Sequence, residues 1–256
     1  MRRPLPADKN RPFARRVSTD EAASGQAHPE RGQPVGAPVD GRPAQRPEAV
    51  TLDGRYGRVE KLTADHAATL WDAIKGHDAI WTYMSHGPFA GAREFSAWVE
   101  QRAGLDEPYA YAIVGTGDRC LGTASLLNIQ TAMRTIEVGC VVYAPTLQRT
   151  PLATEAQYLL ARYVFETLGF RRYEWKCNAL NAASRRAALR YGFAFEGIFR
   201  QHMIVKGRNR DTAWFSLLDG EWPARKANFE RWLALGNFDA AGRQRASLSM
   251  LNDVTE

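Results

Sequence analysis

A helix that begins on Thr150 and Pro151, directly after an apolar strand, is the arrangement in this sequence with the clearest chemical potential. In TIEVGCVVYAPTLQRTPLATE, residues 135 to 155, the strand Ile136 to Tyr143 gives way to a short loop. Thr150 is then placed to cap a helix and Pro151 to occupy its first position. The first N–H groups of a helix lack intrahelical partners and stand at the positive end of its dipole, so such a corner can hold an anion such as a phosphate. An ordinary helix start is the alternative reading of the same residues.

Other chemistry has less support. Cys120, Cys140 and Cys177 lie far apart without a C-x-x-C pair, and the five histidines form no H-x-x-x-H or H-E-x-x-H spacing, so no metal is expected. A covalent route through Cys140 needs an activating partner that the sequence does not place beside it.

The surrounding elements must position the corner. Periodicity predicts a strand over 56–62, and a helix in which Ala67, Leu70, Trp71 and Ile74 share a face up to Gly76. An aromatic loop, AIWTYMSHGPF, follows, then a helix faced by Phe95, Trp98, Val99 and Arg102. Residues 109–114, 121–129 and 135–143 read as a three-strand meander turned by GTGD. The helix from the corner runs to Gly169. Residues 172–177 alternate as a strand, Asn181 caps a short helix to Tyr191, and 193–199 with 212–218 form a last hairpin.

This order, the corner QRTPLATEA, the run NALNAASRRAALRYGF and the segment GRNRDTAWFSLLDGEW together resemble a GNAT-superfamily N-acetyltransferase over residues 51 to 220. Within the superfamily the chain is most similar to the branch of the ribosomal-protein N-terminal acetyltransferases. The resemblance implies an α+β fold with a mixed, mostly antiparallel, twisted sheet flanked by helices. It implies acetyl-CoA as co-substrate, no metal, and direct transfer of acetyl to a primary amine in a ternary complex.

It also implies roles for single residues. The family's CoA-pyrophosphate loop falls on Gln148, Arg149, Thr150, Pro151, Leu152 and Ala153, with Thr154 following. Pro151 departs from the usual glycine and removes one N–H donor. Arg149 and the hydroxyls of Thr150 and Thr154 are the candidates to compensate. The strand before the loop, including Cys140, would bind the pantetheine arm, with an N–H near Val142 polarising the thioester carbonyl and Gly139 permitting close approach. Glu137 matches the position of the base, its alternative being an exposed strand carboxylate. The family's tyrosine acid is replaced by Ala188, so Ser184 is the candidate acid, and Asn181 matches the asparagine that bonds pantetheine. A first-turn serine and a helix cap are the alternatives for these two. Tyr191 reads as packing.

Composition sets the limits. Residues 1 to 47 hold nine Arg and Lys against five Asp and Glu, eight of the thirteen prolines, and no Trp or Tyr. That composition predicts a disordered tail over 1–48. The acetyltransferase domain is expected over 49–220, a packed helix over 221–235 and a flexible tail over 236–256. The scattered arginines do not make a nucleic-acid arm, and no apolar run approaches the roughly 20 residues of a membrane span. MRRPLPADKN lacks the apolar block of a signal peptide, so a cytoplasmic location is expected, as monomer or homodimer. The acceptor is expected to be a small amine or a peptide N-terminus, with loop 80–89 and the hairpin bearing Arg200, His202, Lys206, Arg208 and Arg210 around its mouth. A catalytically inactive CoA-sensing domain is the competing function.

Overall fold

A computed structural model of the chain describes residues 26–27 and 32–253. The described residues fall into two units, divided between residues 42 and 43. In the first, β1 (Gln26–Ala27) and β2 (Pro34–Val35) pair antiparallel. The rest of the expected N-terminal tail up to residue 31 lies outside the described residues.

The second unit is built on one eight-stranded sheet. Its strands are β3 (Thr51–Asp53), β4 (Arg58–Lys61), β5 (Tyr109–Val114), β6 (Cys120–Gln130), β7 (Thr135–Tyr143), β8 (Arg172–Asn178), β9 (Ala194–Val205) and β10 (Arg208–Leu218). They lie in the order β3-β4-β5-β6-β7-β8-β10-β9. Only β7 and β8 run parallel. The mixed, mostly antiparallel sheet is the expected one, with two differences at its ends. The strand expected over 56–62 starts later, because residues 54–57 close a turn in which the Gly54 N–H bonds the Gly57 carbonyl at 2.8 Å. The last hairpin is longer than 193–199 and 212–218, because Lys206 and Gly207 both take positive φ (49° and 70°) and join the strands in a tight turn.

Helices cover both faces. The face of α1 (Ala67–Ile74) and α2 (Ala92–Ala103) buries Leu70, Phe95, Val99, Ala110, Ala112, Val142 and Ala144. The opposite face packs Tyr111, Ile113, Ile136, Val138 and Tyr173 against α3 (Pro151–Arg162) and α5 (Trp222–Leu233). The short α4 (Ala182–Arg190) buries only Ala188, and residues 163–167 extend α3 by a wider turn.

The membership of β7 is informative. Ile136 and Val138 belong to the α3 face, yet Val142 and Ala144 belong to the α2 face. Strict alternation would keep even-numbered residues on one side. The flip occurs at a β-bulge: β6 pairs Thr123 with Val142 and Ser125 with Gly139, so Cys140 and Val141 together oppose Ala124. Cys140 takes φ 49° to make it.

Helix α3 is held on all sides. Thr150 caps it, its Oγ1 accepting the Ala153 N–H at 3.2 Å. The Glu155 carboxylate accepts the N–H groups of Arg55 and Tyr56, each at 2.7 Å, and so closes the turn before β4. The Thr154 hydroxyl accepts from Arg190 Nη1 at 3.0 Å. The sequence made Thr154 a pyrophosphate ligand; it is 2% exposed and turned inward, because the helix is buried on both flanks.

Two boundaries differ from expectation. Order in this unit begins before residue 49: Ala44 and Gln45 donate N–H bonds to Thr131 and Leu168 carbonyls (3.0 and 2.8 Å), and Ala44 and Pro47 are buried. Residues 236–253 are not a loose tail. Asn237 bonds Trp232 and Ala246 backbone groups, and α6 (Leu248–Asp253) buries Leu248 and Leu251 against α5. Two well-spaced leucines and side-chain amide bonds achieve this without a long apolar stretch.

Two outcomes follow for stability. A chain beginning at residue 43 is expected to melt roughly 4–8 °C above one beginning at residue 49, since two backbone bonds worth about 1 kcal/mol each are lost together with buried side chains. Thr154→Val removes the hydroxyl that accepts from Arg190 Nη1, leaving the guanidinium its ring contacts with Trp232 and Tyr191, and should cost about 1 kcal/mol, while acetyl-CoA affinity of the folded protein stays within twofold. Calorimetry and isothermal titration check both. A Thr154→Val protein that melts normally but loses acetyl-CoA affinity would return this side chain to the anion site.

Candidate active site

The bulge and the parallel pair together open the sheet. β7 and β8 pair from Thr135↔Arg172 to Val138↔Trp175 and no further, although both strands continue. Beyond Val138 the β8 side of β7 is therefore unpaired. The register decides which main-chain groups face that gap. The Ala144 N–H donates to the Leu121 carbonyl of β6 at 2.9 Å, and the Val142 carbonyl lies against Gly122, also on β6. Both residues thus direct their main chain to β6, and by alternation Val141 and Tyr143 direct theirs to the gap. The expected donor is an N–H near Val142, and the two that face the gap are the adjacent ones, of Val141 and Tyr143, while Val142 itself turns its main chain to β6.

Glu137 lies on the last paired stretch, 6% exposed, on the same sheet face as α2. Its carboxylate accepts from Asn128 Nδ2 at 2.6 Å and pairs with Lys176 Nζ at 3.1 Å. It is not the exposed strand carboxylate of the alternative reading. Burial holds its pKa above the ordinary glutamate value, with Lys176 and then Asn128 opposing the shift. Lys176 continues the chain of contacts to Glu174 at 2.8 Å and lies 3.7 Å over the Trp214 ring. Arg172 then joins Glu174 to Glu196 at 2.7 and 2.6 Å. No motif in the sequence marks Asn128 or Lys176. Lys176 stands on the charged side of the alternating strand 172–177, but only the register of the parallel pair brings it to Glu137.

Cys140 points to α2. Arg102 Nη2 lies 3.7 Å from its Sγ, and burial raises the thiol above its ordinary range against the pull of Arg102. A protonated thiol beside arginine, without a histidine contact, does not make an activated nucleophile.

At the far end of β7 stands the corner. Gln148 and Arg149 are exposed, and Arg149 takes φ 63°. The N–H groups of Gln148, Thr150, Ala153 and Thr154 are used within the corner, on Ala144, Leu147 and Thr150 oxygens. Those of Arg149 and Leu152 have no acceptor among the described residues. Leu152 and Ala153 bury their side chains, so the corner offers two main-chain donors and the exposed Arg149 and Gln148 side chains.

The α4 residues meet β8 from the other face. The Asn181 Oδ1 accepts the Ser184 N–H at 3.0 Å as a helix cap, which leaves its Nδ2 free of that role. Trp175 Nε1 donates to the Ser184 Oγ at 2.9 Å, so the serine keeps its own O–H to donate. Tyr191 is buried, with burial raising its phenol, and packs on Trp175 and Phe229 as expected.

The expected mouth elements do meet. Lys206, at the tip of the β9–β10 hairpin, donates to the Trp81 carbonyl at 2.9 Å and so ties the hairpin to the 81–89 loop. Phe199, His202 and Trp214 pack together behind it. Among the described residues no group of three or more His, Cys, Asp or Glu could hold a metal ion, and no helix is long and apolar enough to cross a membrane.

Comparison with known proteins accounts for this arrangement. The family model described as acetyltransferase (GNAT) domain matches residues 58–194. The Bacillus subtilis (strain 168) protein named "Putative ribosomal N-acetyltransferase YdaF" is 32% identical over 129 residues, 50% of this chain and 69% of that one. The crystal structure of a GCN5-related N-acetyltransferase from Brucella melitensis superposes with TM-score 0.81 at 45% identity, covering 83% of this chain and 98% of that one. A structure from Chromobacterium violaceum described as one of the "probable acetyltransferases (GNAT family)" gives TM-score 0.70 at 39% identity, over 75% and 98% of the two chains. The chain belongs to the GNAT acetyltransferase family and is an N-acetyltransferase.

Proposed function

We propose that the protein moves acetyl from acetyl-CoA directly to a primary amine held in the gap between β7 and β8. The observation that carries this reading is one continuous track: a stretch of β7 without a β8 partner, a buried carboxylate at one end and a helix N-terminus at the other. A pantetheine arm can add to the open side of β7 as an extra strand. Its pyrophosphate suits the Arg149 and Leu152 N–H groups and the Arg149 guanidinium, which offset the donor that Pro151 lacks.

Each residue then has a defined task. Val141, with its N–H toward the gap, polarises the thioester carbonyl. Glu137 takes one proton from the ammonium and passes it to solvent, so that the neutral nitrogen can bond the acetyl carbon; the second proton leaves the nitrogen to solvent as the amide forms. The raised pKa brings this carboxylate nearer the range of a useful base, while Lys176 keeps it ionised. The C–S bond breaks, and Ser184 gives its hydroxyl proton to the departing sulfur and recovers one from solvent. Asn181, through its free Nδ2, orients the pantetheine amide. Acetyl passes from sulfur to nitrogen with no covalent enzyme intermediate, in keeping with the protonated Cys140.

The test is turnover of acetyl-CoA with a panel of peptide N-termini, polyamines and small amines. Binding of acetyl-CoA with no turnover on any amine would favour the inactive CoA-sensing alternative. Glu137→Gln keeps the shape and removes the base, so kcat/KM should fall on the order of a hundredfold with acetyl-CoA binding intact. The acidic limb of the wild-type pH profile, set by a carboxylate above its ordinary value, should vanish in this variant; an unchanged profile would leave deprotonation to solvent. Ser184→Ala should slow transfer from acetyl-CoA, and a thioester of a more acidic thiol should recover much of the rate. Equal loss with both donors would reduce Ser184 to a positioning role through Trp175.

A further inference from the structure

The α2-side wall of the gap carries more positive charge than its own carboxylates balance. Arg102, on α2, and Arg210, on β10, both act on Cys140, and Arg210 also acts on Cys177 of the adjacent strand β8. Neither guanidinium has a carboxylate within ion-pair distance among the described residues. Among the described residues, Arg102 contacts the Cys140 sulfur and lies 5.7 Å from the Trp98 ring. The Arg210 Nε is buried with no hydrogen-bond partner. On β10, alternation places Arg210 on the face of Trp214, whose Nε1 is also buried and unpartnered. His86 stands beside the group, its ring 4.9 Å from Trp98 and its Nε2 buried and unpartnered. Burial, with Arg102 and Lys206 nearby, pushes its pKa down to about 4, so it is neutral at pH 7.

Uncompensated cations and unsatisfied N–H donors are costly away from water, and an anion relieves both costs at once. The Glu137 end has the opposite imbalance. The contact chain Glu137, Lys176, Glu174, Arg172, Glu196 holds three carboxylates and two cations, which leaves room for one further positive group. Cys140 stands three residues along β7 from Glu137, with its sulfur 3.7 Å from Arg102 Nη2.

We propose that the acceptor is an amine carrying a carboxylate a few bonds away, with the amine directed to Glu137 and the carboxylate to Arg102 and Arg210. This rests on the reading of the gap as the acceptor site and adds the class of acceptor. The carboxylate takes no part in bond making; it fixes the amine's orientation. Two sources share this chemistry, the α-carboxylate of a free amino acid and the acidic side chain of the second residue of a peptide.

Matched probes separate them. Alanine is compared with alaninamide, and an amidated tripeptide beginning Ala-Asp with its Ala-Asn counterpart, by isothermal titration into the full chain saturated with CoA. At least one acid is expected to bind tenfold or more tighter than its amide. Arg210→Gln should remove that preference, and Arg210→Lys should retain part of it, because a point charge replaces a fork. CoA affinity within twofold of wild type certifies that both variants are folded. The inference is overturned if acid and amide bind alike in both pairs, if neither acid binds, or if Arg210→Gln weakens CoA as much as it weakens the acid, which would give the arginine to the nucleotide. Tight binding of the acid without acetyl transfer would leave this inference standing and remove the proposed function. Transfer to acid and amide at equal affinity would do the reverse.

Discussion

Everything at the site depends on one extra residue in β7. Without the bulge at Cys140 and Val141, Glu137 and the main chain beyond it would follow a single alternation, and β7 would stay flat against its neighbours. With it, Ile136 and Val138 help seal the α3 core while Val142 and Ala144 seal the α2 core. Each half of the strand is thus nailed to a different layer. The cost is a left-handed backbone at a non-glycine residue, which is tolerated because packing on both faces fixes it. The same twist parts β7 from β8 after only four residue pairs.

Electrostatics complete what the backbone begins. A buried carboxylate is tolerable only when its lone pairs and charge are met, and Glu137 meets both conditions through Asn128 and Lys176. Lys176 is in turn shared with Glu174 and faced by Trp214, so it cannot swing to solvent. This is a fixed polar network with an end open to the gap, in contrast to the surface pairs such as Lys75 with Asp72, whose partners are both more than half exposed.

The element order was largely legible because its punctuation is local. Thr150-Pro151, Asn181, and the glycines after the helices act through caps and positive φ that a few residues determine. What could not be read depends on partners distant in sequence. The run IEVGCVVY contains nothing that marks Cys140 as the bulge, so which N–H near Val142 faces the gap follows only from the register with β6. Thr154 follows a phosphate-type corner in sequence, yet its direction is set by Arg190, 36 residues away. The ends are hard to read for a compositional reason: Ala44, Pro47, Leu248 and Leu251 are too few to register as apolar segments, but each fills a space that the larger core has already shaped.

The open stretch of β7 is also an unpaired sheet edge, and such edges ordinarily invite other chains to add to them and aggregate. Here it lies in the middle of an eight-stranded sheet with β8 continuing on its other side, where a folded protein's strand, with bulky side chains on both faces, cannot enter. A single extended chain can enter where two strands have merely begun to part, whereas a strand that already belongs to another folded sheet cannot. Placing the edge indoors therefore serves as a filter on shape, separating single extended ligands from the sheet edges of other folded proteins before any specific contact is made.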